Sequence, residues 1–222
     1  MQKIRKIITT FLNLVNAHRI IALCAINLNF NTSDTDELVV KGDIHFDDRE
    51  YDKAVKCYDE ALSKSESDAN VWKKKGFVLF NIGIDNESVN IKRYEEPPYN
   101  QAKNLISYYN LSYHSTSRSR TYLERSHHSF ERAVQHNPED LELWLYKGIV
   151  CLYLSPSSSC DPINDFDNVL KLIDNQNQTF HPLNFINDMA WYGKSISYLK
   201  IWRMKDRAEE CSKNIKKHKP SR

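Results

Sequence analysis

The residues best able to do chemistry are the eight histidines and five cysteines, and one stretch crowds the histidines: Glu124, His127, His128 and Glu131. Glu and His three apart project to the same side of a helix. Carboxylate-bridged metal centres exploit that spacing, but they take a second such motif and further glutamates from facing helices. No second motif is present, so these four read as a solvated helix face, with no metal and no other cofactor. Cys24, Cys57, Cys151, Cys160 and Cys211 are odd in number and far apart, without the Cys-x-x-Cys of zinc ribbons or thiol exchange. They read as free thiols of a reduced, cytoplasmic chain. There is no Gly-x-x-x-x-Gly-Lys-Ser/Thr phosphate loop, no Gly-x-Gly-x-x-Gly, no Gly-x-Ser-x-Gly and no His-Glu-x-x-His. No catalytic residue can be nominated, and the chain reads as non-enzymatic.

The elements that carry these side chains follow from composition. A chain of 222 residues with 41% apolar content can bury a substantial core. Basic residues number 31 against 29 acidic, so there is no bulk electrostatic drive toward nucleic acid or anionic lipid, and no nucleic-acid partner is expected. Arg118, Arg120 and Arg125 beside Tyr122 are the one hint of RNA. Five glycines and seven prolines are too few turn formers for a many-stranded fold, which leaves helices.

The glycines then organise the helices. Gly42, Gly76, Gly148 and Gly193 sit within apolar-periodic segments, in settings such as Trp-Lys-Lys-Lys-Gly and Trp-Leu-Tyr-Lys-Gly. A glycine inside a helix costs about 1 kcal/mol against alanine, so its repeated use asks for a second helix in close approach. Gly42 and Gly76 are 34 residues apart. That is the tetratricopeptide period, a helix-turn-helix unit. The run Tyr51-Asp-Lys-Ala54-Val-Lys-Cys-Tyr58-Asp-Glu-Ala61-Leu62 resembles the second helix of that family, and Trp72 with Gly76 and Trp144 with Gly148 resemble its first. Phe130, Ala133 and Pro138 stand at the family's spacings, with Ser126 in a small-residue position. Lys41, Lys75 and Lys147 replace leucine before the crossing glycine, and Arg49 replaces a turn glycine.

The resemblance implies an all-α fold, an α-α superhelix of tetratricopeptide type with irregular insertions. We read residues 35–222 as the repeat domain, with an insertion near 84–118. Within it, Gly83 falls at an inter-helix turn, Ile84 to Pro98 is a polar insertion, Tyr99 to Tyr113 is a helix and Ser115 to Arg120 is a loop. A final helix pair begins at Ala190 to Gly193, after a polar linker over Asn175 to Pro182, with Trp202 and Ala208 packing. Residues 1–34 form an amphipathic segment with Ile4, Ile7, Ile8, Phe11, Leu12 and Val15 on one face and Lys3, Arg5, Lys6 and Arg19 as its charges. It is a degenerate leading repeat or a targeting segment. The second reading would export the chain or send it to an organelle through residues 1–17. Residues 1–30 are too short an apolar run to span a membrane but could contact one peripherally.

In the tetratricopeptide family the first helices line a concave groove that holds a peptide or helix. Carried onto this chain, the groove would show Asp36, Val39, Asp43, Phe46 and Asp47, then Lys73, Phe77 and Phe80, then Leu145, Ile149 and Tyr153. Asp43 stands where the family's carboxylate clamp has asparagine, and its charge would repel a terminal carboxylate. The expected partner is therefore a protein segment with apolar anchors and a basic end, and the expected function is a scaffold. Burial of Phe46, Phe77 and Phe80 under an inserted helix is the competing reading. An accessory or regulatory subunit of an enzyme or membrane complex is the alternative role.

Overall fold

Every regular element among the described residues is an α-helix, so the all-α expectation holds. The computed structural model describes residues 33–85, 117–154, 160–175 and 181–215. The amphipathic N-terminal segment, the helix expected over 99–113 and the prolines at 97 and 98 lie outside them. The helices are α1 (Asp34–Asp47), α2 (Tyr51–Lys64), α3 (Ala69–Asp85), α4 (Ser117–His136), α5 (Leu141–Leu154), α6 (Pro162–Asn175), α7 (His181–Lys200) and α8 (Lys205–Lys213). None is long and apolar enough to cross a membrane. The chain divides into two compact units, residues 1–71 and 72–222.

In the first unit α1 and α2 form a hairpin. Ser33 caps α1 reciprocally with Asp36: the Asp36 amide donates to Ser33 Oγ and the Ser33 amide donates to Asp36 Oδ2 at 3.1 Å. At the other end Arg49 takes φ 62°, a left-handed conformation that suits glycine. This is the position at which the tetratricopeptide pattern has its turn glycine. Ala54, Val55, Tyr58, Ala61 and Leu62 recur at three and four residues and form the buried stripe of α2. A Cβ on Gly42 of α1 would stand 2.5 Å from the Tyr58 ring, so only a glycine lets the helices approach this closely.

The second unit repeats this crossing with phenylalanine. Gly76 of α3 faces Phe130 of α4, and Phe166 of α6 is enclosed by Gly148 of α5 and Gly193 of α7. Both phenylalanines are 0% exposed. Sequence neighbours are neighbours in space, α4 on α5, α5 on α6, α6 on α7 and α7 on α8, with α7 also reaching back to α5. That is the contact pattern of stacked repeats. Aspartates mark the starts: Asp140 Oδ1 accepts from the amides of Glu142 and Leu143, and Asp161 Oδ1 from those of Ile163 and Asn164.

Four boundaries differ from the sequence expectation. Gly83 lies inside α3, against Leu123, rather than in a turn. Ile84 is buried in the last turn of α3 rather than opening a polar insertion. Ser117 to Arg120 is the first turn of α4 rather than loop, because the Ser119 hydroxyl donates to the Gly83 carbonyl and so has a buried place to go. The last hairpin begins at His181, with Pro182 in the first turn, where a missing N–H costs nothing. Trp202, expected to pack, is 53% exposed at the α7–α8 turn.

Candidate functional site

The first unit's groove residues are largely committed to its own hairpin. Asp36 is part of the α1 cap. Asp43 accepts a 2.6 Å hydrogen bond from the Tyr58 hydroxyl. Burial first, and that carboxylate second, push the Tyr58 phenol well above its ordinary range. Val39 and Phe46 are half-buried, Phe46 against Tyr51 at 5.8 Å, and Asp47 is exposed.

In the second unit the predicted residues separate into two sets. Phe80, Leu145 and Ile149 are buried in the core, so their side chains do not line an open surface. For Leu145 and Ile149 the reason is α5 itself, which buries residues on all sides from Leu141 to Leu154 rather than along one stripe. Lys73, Phe77 and Tyr153 remain half-buried. Phe77 meets Phe130 and Tyr146 edge-on at 5.2 and 4.5 Å, and Tyr153 meets Phe80 at 5.6 Å. Lys73 bridges Asp140 at 3.0 Å and Glu142 at 2.5 Å. Burial lowers its ammonium pKa, but Glu142 and Asp140 outweigh that and leave it raised.

The four residues crowded in sequence disperse. Glu124 pairs with Arg120 at 3.0 Å, and His128 turns its edge to the Trp72 ring, its Nδ1 3.9 Å from Glu131. His127 points elsewhere, to Cys151 near the end of α5 and Cys160 just ahead of α6. One ring nitrogen and the two sulfurs all lie within 4.8 Å of one another. In sequence the five cysteines are odd in number and scattered, with no Cys-x-x-Cys, and it is the packing of α5 against α6 that brings these two together. Beside them half-buried Lys147 and buried Asp165 form a 2.6 Å ion pair. Asp165 Oδ2 and His127 Nε2 are both buried without a hydrogen-bond partner. Cys151 donates to Cys160, which raises the Cys151 thiol and lowers that of Cys160, with His127 and Lys147 adding to the fall.

No family model matches this chain, and no curated protein matches it. Among solved structures it is similar to the crystal structure of MamA protein, at 15% identity over 82% of this chain and 89% of that one, with a TM-score of 0.31. It is also similar to a thermophilic TPR protein of Thermus thermophilus, at 15% identity over 80% of this chain and 98% of that one, with a TM-score of 0.27. At these values the functional reading rests on the chain's own geometry.

Proposed function

We propose that this chain is a non-enzymatic, tetratricopeptide-type interaction module that holds a segment of another protein. The observation that carries the reading is the recurrence of one crossing: Gly42 with Tyr58, Gly76 with Phe130, Gly148 with Phe166. In each second helix a small or compact residue, Ala54, Ser126 or Pro162, stands four before the aromatic and is buried. A framework repeated in this way leaves its first helices to present side chains, and in the second unit α3 and α5 present Lys73, Phe77 and Tyr153. Partly exposed aromatics suit a peptide with apolar anchors, since desolvated aromatics contribute most of the energy at such contacts. Cytoplasmic placement belongs to the same reading.

The test uses the full chain as bait, with crosslinking and mass spectrometry to map each captured protein. Tyr153→Ala and Lys73→Ala, checked for unchanged melting temperature, should each weaken capture of a protein that crosslinks to α3 and α5. Tyr153→Ala should have the larger effect. Partners that bind both variants as tightly as the parent, or crosslink only away from these helices, would sink the proposal.

A further inference from the structure

The geometry points to a metal site: we propose that His127, Cys151 and Cys160 bind one thiophilic cation of the zinc class. Their three ligand atoms already lie within 4.8 Å of one another. Around tetrahedral zinc, with Zn–S near 2.3 Å and Zn–N near 2.0 Å, ligand atoms stand roughly 3.5 to 3.8 Å apart. A contraction of about 1 Å closes the cage. Two sulfurs and an imidazole select soft and borderline ions such as zinc over magnesium or calcium, which take oxygen ligands.

Two further observations support a ligand here. Buried polar atoms in folded proteins are nearly always partnered. Here His127 Nε2 and Asp165 Oδ2 are not. The first belongs to the ring that supplies the nitrogen ligand, and the second to a carboxylate within electrostatic reach of His127 and Cys160, where three protein ligands leave a fourth position open to water. Charge also closes: a dication with two thiolates is neutral, and Lys147 and Asp165 neutralise each other beside it. The two thiol protons go to solvent as the ion enters. The ion would tie α4 to α5 and to the start of α6. This reverses the no-metal reading of Glu124, His127, His128 and Glu131. His127 is a ligand whose partners are the distant cysteines, not the glutamates beside it.

The full chain, reduced and kept anaerobic, is titrated with Co2+ as a spectroscopic stand-in and then with Zn2+. One Co2+ per chain should appear with thiolate-to-cobalt charge-transfer absorption, and Zn2+ should bleach it. Cys160→Ser and His127→Gln change half-exposed positions. Each should weaken binding by more than the roughly 10–100-fold that follows loss of an outer-shell partner. Cys57→Ser and Cys211→Ser should leave it intact. Should either ligand variant fail to fold, alkylation of the parent chain decides, because Zn2+ must protect Cys160 and spare Cys57. Absence of the thiolate band, a band that survives in folded Cys160→Ser, or Cys160 alkylation indifferent to Zn2+ would each overturn the proposal. So would a Cys151–Cys160 disulfide in a chain that binds no Co2+ after reduction.

Discussion

The two units solve the same packing problem with different chemistry. In the first, the aromatic set against the crossing glycine is Tyr58, and its hydroxyl reaches out of the contact to Asp43. In the second, Phe130 and Phe166 carry no polar atom. Buried serines do the polar work instead: Ser126 donates to the Gly76 carbonyl at 2.8 Å and Ser195 to that of Ala208 at 2.9 Å. Where the first unit has Ala54 at the close contact, the second has Ser126. A helix crossing of this kind needs a small residue opposite a ring, and it tolerates either a rim hydrogen bond or an interior one.

Four substitutions put that contrast to the test. The largest effect should come from Phe166→Ala, which empties the space between Gly148 and Gly193. Complete removal of a buried phenylalanine costs about 3–5 kcal/mol, read as a lower denaturation midpoint. A loss below about 1 kcal/mol would mean that the ring does not hold three helices together.

Gly76→Leu comes next, because a Cβ there would already stand 3.0 Å from the Phe130 ring. Overpacking of this kind costs about 1–3 kcal/mol, and an unchanged thermal melt would show that the crossing does not determine the fold.

Tyr58→Phe should cost about 1–2 kcal/mol, because it deletes a hydrogen bond to a carboxylate without opening a cavity. Its pH signature is more specific than its size. The folded phenol titrates above its ordinary value, so its contribution is complete below the unfolded pKa of about 10 and is lost as pH rises beyond it. The parent should therefore lose more melting temperature than Tyr58→Phe between about pH 9 and pH 11. Tyr146, pushed up to about 12 by burial, contributes to both equally. Parallel melting curves across that range would show that Tyr58 stays uncoupled from the fold.

The smallest effect is a gain. Arg49→Gly relieves a left-handed residue at the α1–α2 turn, worth about 1–2 kcal/mol, against a greater loss of chain entropy on folding. A net rise of under about 1 kcal/mol is expected, and a fall in melting temperature would show that the arginine side chain itself stabilises the turn.

How much was legible in the residues divides along the same line. The hairpin from Gly42 to Leu62 could be read directly, since period and stripe agree even though an arginine stands at its turn. The lysines that replace leucine before the glycines depart from the family pattern, yet Lys75 stands 4.7 Å over the Trp72 ring and Lys147 5.5 Å over Trp144. Lys41, with Leu38 in place of tryptophan, pairs with Glu37 at 2.6 Å instead. Leu145 and Ile149 are buried because α5 is apolar all round, and periodicity assigns no face to such a helix, while Phe80 of α3 is buried against Tyr153. The thiol and imidazole cluster was invisible because its members meet only after two turns of chain have folded back.

The cations over the tryptophans have an optical consequence. Trp72, Trp144 and Trp191 each lie under a lysine ammonium, the last under Lys194 at 4.8 Å. Trp202 is instead open to water at the α7–α8 turn. Its indole should emit to the red of the others and be the first that acrylamide extinguishes. The chain thus carries an intrinsic fluorophore whose environment reports on its last helical hairpin, without a label.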